Sequence, residues 1–165
     1  LGNPFGCKFS IPGTGFFWNS HMANMEHDPA KSDSPDYVIP GKRVRSTMAP
    51  TIIFKDGEPV MAVGSPGSWA IPPAIATVIN NVLLFDMSVQ EAINAPRVVV
   101  GSRNEGELIL DEIDAVDPTT LQALEEMGYT LSSGMAGYPC AVYRGEDGYF
   151  YAGGDPARDY HSSAY

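Results

Sequence analysis

Two runs of apolar residues flank a short polar segment between residues 51 and 63. The runs are TIIF (51–54) and PVMAV (59–63), and the KDGE segment between them contains Asp56-Gly57. An Asp-Gly pair in this setting is a strong signal for a tight β-hairpin turn. Both runs are almost continuously apolar rather than alternating, which predicts a sheet that is covered on both faces.

The apolar spacing becomes helical in PAIATVINNVLLFDM, residues 73–87. One stripe of this predicted helix consists of Ile75, Val78, Ile79, Val82 and Leu83. Pro72 and Pro73 suit its first turn, where their missing N–H groups and fixed φ cost nothing.

Two further helices are predicted from their end signals. Ser88, with Glu91 three residues later, forms a capping-box pattern that opens a helix ending near Pro96. Asp117-Pro118 opens another helix, which runs through Met127 and closes at Gly128. The apolar face of this last helix is expected to consist of Leu121, Leu124 and Met127.

Short strands are expected at ELILDE (107–112), YTLSS (129–133), CAVYR (140–144) and YFYAG (149–153), the last two joined by GEDG. In the Gly- and Pro-rich residues 1–50, KFSI and GFFWN are candidate strands, and PAKSDSPDYVIPGK reads as a long surface loop. The order of elements predicts a single α+β domain over residues 1–165, with antiparallel strands and helices layered outside.

The composition of the chain argues against several classes of function. The 165 residues carry 10 Lys and Arg against 20 Asp and Glu, a net charge of −10, which argues against a nucleic-acid partner. No apolar run approaches the roughly 20 residues that cross a bilayer. Cys7 and Cys140 are expected to be buried thiols rather than a disulfide. The three histidines lack metal-ligand spacing, so neither a metal nor a cofactor is expected.

The loop GSPGSWAIPP, residues 64–73, follows an apolar strand and precedes a helix. It lacks the Gly-Lys-Ser/Thr ending of a P-loop and the G-x-S-x-G of a nucleophile elbow. Such a loop can bind an anion or a developing oxyanion through its backbone N–H groups. Alternatively, it only turns the chain between the strand and the helix. The residues alone favour the plain turn.

Other candidate residues are equally open. The adjacent hydroxyls of Ser46 and Thr47 suit either a polar substrate or a strand edge or cap. His21 and Asn24 lie in WNSHMANM, where a lone histidine is more often structural than catalytic. No Ser/His/Asp set can be assembled by spacing. The acidic stretch 111–117 is expected to be a solvated surface that ends in a helix cap.

Four stretches together resemble the small, C-terminal subunit of the γ-glutamyltranspeptidase family. They are NPFGCKFSIPGTGFFWNSHM (3–22), PGKRVRSTMAPTIIFKDGEPVMAVGSPGSWAI (40–71), SVQEAINAPR (88–97) and DPARDYHSSAY (155–165). The resemblance implies an N-terminal-nucleophile hydrolase, an αββα sandwich of two subunits that arise by autoproteolysis of one precursor. It also implies cleavage of γ-glutamyl amides and transfer of the acyl group to water or an amine.

In that family the nucleophile is the N-terminal Thr of the small subunit, activated by its own amine. It lies farther upstream of the Phe5-Gly6 motif than this chain extends. The resemblance therefore implies a small-subunit portion that lacks its first strand and its nucleophile, is inactive alone, and pairs with the large N-terminal subunit. It favours a periplasmic or extracellular location, with the cytoplasm still open.

The resemblance also implies roles for particular residues. The glycine pair of the oxyanion hole falls on Gly67 and Ser68, and Ser68 can donate its N–H if its φ is negative. The serines that bind the substrate α-carboxylate fall on Ser46 and Thr47. The remaining substrate contacts fall on Asn24, His21, Gly2 and Asn3.

At Asn24 the family has an acid that holds the substrate α-amino group, so the charge facing that ammonium is lost. This departure keeps a second interpretation open. The parent protein would then be a re-specialised acylase or an inactive binding homologue.

Overall fold

A computed structural model describes residue 3 and residues 5–101 and 106–158 of the chain. The chain forms two compact units, residues 1–47 and residues 48–165. Nearly all regular secondary structure lies in the second unit.

The first unit consists mainly of turns. Its regular elements are 3₁₀ turns at His21–Asn24 and Pro29–Lys31. The candidate strands KFSI and GFFWN contribute only an isolated antiparallel bridge between Ser10 and Phe17, so that prediction is wrong in extent. Glycines and prolines interrupt the chain too often for a longer ladder.

In the described residues of the second unit there are seven strands and three α-helices. The strands are β1 (Thr51–Lys55), β2 (Glu58–Gly64), β3 (Val98–Val100), β4 (Glu107–Leu110), β5 (Thr130–Ser133), β6 (Cys140–Arg144) and β7 (Phe150–Gly154). The helices are α1 (Ile71–Leu84), α2 (Val89–Asn94) and α3 (Pro118–Glu126).

The larger sheet has the order β1-β2-β6-β7 and is antiparallel throughout. Its first hairpin turns at Asp56 and Gly57, which both have a positive φ, as the Asp-Gly signal predicts. Ile53 pairs with Met61 but Phe54 pairs with Pro59, so Val60 is the extra residue of a bulge in β2.

One face of this sheet packs against α1 and α2. Its core comprises Met61, Val63, Ile71, Ile75, Val78, Val82, Val89, Ala92, Ile93 and Ala141. On the opposite face Ile52 and Phe54 are 61% and 60% exposed. The prediction that both faces are covered is therefore wrong for the described part of this chain, because α1 and α2 both pack on the same side.

The smaller sheet has the order β3-β4-β5. The pairing of β3 with β4 is antiparallel, as expected, but β4 and β5 are parallel, so this one pair departs from the antiparallel pairing expected. The helix α3 lies between β4 and β5 in the chain and provides the crossover that parallel strands need. Strand β3, in the short run RVVVG, has no counterpart among the predicted elements.

The predicted starts of α2 and α3 are confirmed, whereas α1 ends at Leu84, before the predicted end at residue 87. Ser88 and Glu91 form the capping box of α2, and Asp117 caps α3 by accepting the Thr119 N–H at 3.0 Å. The predicted apolar face of α3 is only partly buried. Met127 lies beyond the end of that helix and is 73% exposed.

Arg97 is a buried cation that joins distant parts of the second unit. Its Nη2 lies 2.5 Å from Asp111 Oδ2 and 2.7 Å from Asp155 Oδ2, and its Nη1 donates to the Ile93 carbonyl. Asp111 also accepts the backbone N–H of Arg97 at 2.7 Å. Asp111 therefore departs from the prediction that residues 111–117 are a solvated surface, because its carboxylate is needed to neutralise a buried charge.

Cys7 and Cys140 are free thiols, as expected, but both are exposed rather than buried. Cys7 lies in an exposed turn, and Cys140 is the first residue of β6. Within the described residues no helix is long and apolar enough to span a bilayer.

Candidate active site

The loop of residues 64–68 joins the end of β2 to the helical segment that begins at Ser68 and continues into α1. Gly67 has φ 141° and Ser68 has φ 55°. Among the described residues, no hydrogen-bond acceptor is present for the backbone N–H of either Gly67 or Ser68. Two adjacent unpaired N–H groups at the start of a helix are well suited to bind an anion or an oxyanion.

Ser68 does not have the negative φ that the sequence analysis requires of it as a replacement for glycine. Its N–H was expected to replace that of a glycine if φ were negative, but the observed φ of 55° lies in the left-handed region. An L-residue with a side chain is disfavoured there by about 1–2 kcal/mol. Ser68 is exposed, and the backbone keeps a conformation that glycine adopts at no cost.

Gly67 is restricted to glycine both by φ and by space. A Cβ at this position would lie 2.8 Å from the Cα of Gly137 and 3.4 Å from the Sδ of Met135. The loop therefore rests directly on the segment of residues 135–138, which precedes β6.

Ser65 ties the loop to that segment. Its Oγ accepts the Tyr138 N–H at 3.0 Å, and the same N–H also donates to the Pro66 carbonyl at 3.1 Å. The sequence pattern predicts no role for Ser65, Gly137 or Tyr138 in the site. The only local signal in the sequence is the glycine and proline content of GMAGYP. This content predicts a turn, but it does not predict that the turn packs against the loop of residues 64–68.

In the first unit, the 3₁₀ turn carries two of the predicted substrate contacts. His21 and Asn24 are its first and fourth residues, and side chains three positions apart eclipse in a 3₁₀ helix. They therefore project from the same side of the turn. The His21 N–H donates to Asn19 Oδ1 at 3.0 Å, which holds the start of the turn.

Asn3 is joined to the residue before that turn. Its backbone N–H donates to Ser20 Oγ at 2.9 Å. A cleft of about 450 Å³ is lined by Asn3, Gly6, Cys7, Lys8 and Ser20. The structure thus brings Asn3 close to the His21–Asn24 turn, whereas the predicted contact Gly2 lies outside the described residues.

Ser46 and Thr47 end the first unit in an exposed segment without regular structure. Neither residue lies in a strand or at a helix cap. The preceding Arg45 pairs with Asp36 at 3.0 Å. That ion pair links the segment to the long loop of residues 29–42.

No group of three or more His, Cys, Asp or Glu side chains in the described residues could hold a metal ion. The candidate site residues themselves offer N–H donors, hydroxyls, an amide and an imidazole.

The family model described as Gamma-glutamyltranspeptidase matches residues 1–165. The chain belongs to this family. The match includes the loop at Gly67 and the motifs that surround Asn24 and Ser46. The α+β class predicted from the sequence is confirmed by solved structures of the family.

Two groups of curated relatives are similar to the chain. An Acylase ACY 1 proenzyme from Pseudomonas sp. (strain SE83) is 37% identical over 146 residues, which is 87% of this chain and 25% of the relative. A glutathione hydrolase proenzyme from Pseudomonas sp. (strain A14) is 33% identical over 135 residues, 78% of this chain and 23% of the relative. The chain thus spans about a quarter of the length of the curated relatives it matches.

The fold is similar to that of the γ-glutamyltranspeptidase from Pseudomonas nitroreducens complexed with L-DON. The TM-score is 0.77 and the identity 27%, over 96% of this chain and 86% of that one. The family assignment thus rests on sequence and fold together, and family members include hydrolases, transferases and acylases by name.

Proposed function

We propose that this chain is the small-subunit portion of an enzyme that cleaves γ-glutamyl amide bonds and transfers the acyl group to water or an amine. The observation that carries the proposal is the pair of unpaired N–H groups at Gly67 and Ser68, at the start of the helical segment. The family match over the whole chain supports the same reaction class.

In the proposed reaction the nucleophile comes from the rest of the precursor, as an N-terminal threonine. Its hydroxyl attacks the amide carbonyl and passes its proton to the threonine amine. The tetrahedral oxyanion accepts hydrogen bonds from the N–H groups of Gly67 and Ser68. The leaving amine takes the proton, and water or an amine then attacks the ester and releases the acyl group.

The proposed substrate contacts come from the first unit. The hydroxyls of Ser46 and Thr47 bind the α-carboxylate of the γ-glutamyl group. Asn24 takes the position that holds the α-amino group, and His21, Gly2 and Asn3 are the remaining proposed substrate contacts. The shared side of the His21–Asn24 turn and the bond from Asn3 to Ser20 support this grouping.

The proposed partner is the large N-terminal subunit of the same precursor. The exposed apolar face of β1, with Ile52 and Phe54, supports a covering partner, since apolar strand faces are normally buried. The relatives named as proenzymes are about four times as long as their match to this chain. On this proposal the 165 residues alone have no transferase activity.

The test uses the full-length precursor. The precursor is assayed for self-cleavage and for turnover of γ-glutamyl-p-nitroanilide and glutathione, with the isolated chain alongside. Turnover by the processed precursor and none by the chain is expected. A precursor that neither cleaves itself nor turns over any amide would show that the proposed reaction class is wrong.

A second candidate function is favoured by Asn24. An amide in place of the family's acid removes the negative charge that faces the substrate ammonium, and charge-assisted hydrogen bonds are roughly twice as strong as neutral ones. A relative at 37% identity is named an acylase, which supports an acylase as the second candidate. The lost charge at Asn24 favours an acyl donor without a free α-amino group. Comparing N-acyl substrates of that kind with γ-glutamyl compounds distinguishes the two candidates, because the reaction is the same and only the acyl donor differs.

A further inference from the structure

The segment of residues 134–139 forms a support beneath the loop of residues 64–68. Its two ends are attached to the sheets by backbone hydrogen bonds. The Gly134 N–H donates to the Leu110 carbonyl at 2.9 Å, and the Asp155 N–H donates to the Pro139 carbonyl at 3.0 Å. The ring of Tyr138 lies 4.2 Å from the Arg158 guanidinium carbon. Contacts outside the loop therefore hold both ends of the segment in place.

The support and the loop are in close contact at Gly67 and Gly137. Gly67 rests on Gly137, and a Cβ on Gly137 would lie 2.6 Å from Ala74 Cβ in α1 and 3.1 Å from Ser65 Oγ. Gly137 is thus enclosed by the loop on one side and by α1 on the other. Neither glycine position leaves room for the loop to move toward the support.

Close packing limits translation of the loop, but the direction of its N–H groups depends on hydrogen bonds. Ser65 Oγ is the only side-chain atom of the loop that bonds to the support among the described residues, through the Tyr138 N–H at 3.0 Å. The same hydroxyl donates to the Pro66 carbonyl at 2.7 Å. Ser65 therefore joins the Tyr138 N–H to the carbonyl of the Pro66–Gly67 peptide and so holds the peptide that precedes Gly67.

We propose that Ser65 is a positioning residue for the oxyanion hole, acting through the Tyr138 N–H and the Pro66 carbonyl on the direction of the Gly67 and Ser68 N–H groups. This inference rests on the proposed function. It assigns Ser65 no contact with substrate. A donor displaced by about 1 Å costs roughly 100-fold in rate, and an oxyanion donor acts mainly on the transition state.

The test compares Ser65→Ala and Ser65→Thr in the full-length precursor, with whichever amide substrate the precursor turns over. Ser65→Ala is expected to lower kcat at least tenfold and to change KM less than twofold. Ser65→Thr keeps the hydroxyl and is expected to restore most of kcat. Each rate is normalised to the cleaved fraction seen on a denaturing gel, so that slower processing does not count as slower catalysis.

Ser88→Ala is the matched control. Ser88 Oγ also accepts a backbone N–H, that of Glu91 at 3.3 Å, but at the start of α2 and outside the loop. It is expected to lower the thermal midpoint at least as much as Ser65→Ala does, with kcat unchanged. This comparison separates positioning from general loss of stability.

The outcomes distinguish this inference from the proposed function. If the precursor is active and Ser65→Ala keeps its kcat, or if kcat falls equally in Ser88→Ala, the positioning role is wrong and the proposed function stands. A rise in KM at constant kcat also overturns it, because it would place Ser65 in ground-state binding. If the wild-type precursor turns over no amide, the proposed function fails and this inference fails with it.

Discussion

Arg97 and Asp155 form an ion pair of 2.7 Å between side chains that are almost completely buried. The partners are 58 residues apart in the chain. Through Asp111 and the Ile93 carbonyl, the same guanidinium also binds the loop after β4 and the end of α2. One cation therefore holds together the two sheets and a helix of the second unit.

Replacing Arg97 with Met is expected to destabilise the protein by about 3–5 kcal/mol, because it leaves buried carboxylates without a counter-charge. Arg45→Met is the matched control, since Arg45 pairs with Asp36 at the surface and a pair of that kind contributes about 0–1 kcal/mol. Urea unfolding of both variants checks the difference. An equal loss in the free energy of unfolding for the two variants would show that burial does not determine how much Arg97 contributes to stability.

Gly137→Ala is expected to cost more stability than Gly148→Ala. Both glycines have a positive φ, 90° and 84°, so both changes add about the same backbone strain of 1–2 kcal/mol. A Cβ at Gly148 meets nothing within 4 Å, whereas one at Gly137 would lie 2.6 Å from Ala74 Cβ. Overpacking adds about 1–3 kcal/mol, measurable as a further shift of the urea midpoint. Similar midpoints for the two variants would contradict the close packing.

Ser68→Gly is expected to stabilise the protein by about 1 kcal/mol, because the residue has φ 55° and glycine is not strained there. The N–H remains in place, so activity of the full-length precursor is expected to be kept or raised. Thermal unfolding and kcat of the same preparation check both parts. A loss of kcat in a stabilised variant would indicate that the Ser68 side chain itself takes part in the reaction.

The capping box of α2 is expected to give a pH-dependent contribution to stability. The hydroxyl of Ser88, followed by its backbone N–H, lowers the pKa of the Glu91 carboxyl from its ordinary value. A carboxylate with a lowered pKa in the folded state stabilises the protein above its ordinary pKa, and the effect is lost as the pH falls through the lowered value.

Ser88→Ala removes one partner of this box and is expected to cost about 1 kcal/mol at neutral pH. The difference in thermal midpoint between the variant and the wild type should shrink below the ordinary pKa of a glutamate. A difference that stays constant between pH 7 and pH 3 would contradict the role assigned to the charged Glu91.

Asn24→Asp is expected to raise kcat/KM for γ-glutamyl substrates if the parent enzyme has turned toward donors without a free α-amino group. The added carboxylate restores a charge-assisted bond to the ammonium, and bonds of that kind contribute about 1.5–3 kcal/mol, or roughly tenfold and above in kcat/KM. Met22→Asp is the control, because it adds the same charge to the same turn at an exposed residue without a proposed substrate contact. An unchanged ratio between γ-glutamyl and N-acyl substrates would place the specificity elsewhere.

Much of the candidate site could be found from the sequence, but not its geometry. The loop at residues 64–68 and the residues Asn24, Ser46 and Thr47 follow from motifs that are continuous in the chain. The support beneath the loop was missed because Ser65 and Tyr138 are 73 residues apart and GMAGYP signals only a turn. The exposure of Cys7 and Cys140 was missed for a related reason, since residue type alone does not say which layer covers it.

The sequence by itself determined the local elements and the family. The Asp56-Gly57 hairpin, the Ser88 capping box and the Asp117 cap depend on residues at most a few positions apart, and their chemistry is nearly independent of the rest of the chain. Only the tertiary structure decided the parallel pairing of β4 with β5, the burial of Arg97 and the positive φ of Ser68. Those features depend on which distant segments pack against each other, and packing between distant segments leaves no periodic signal in the sequence.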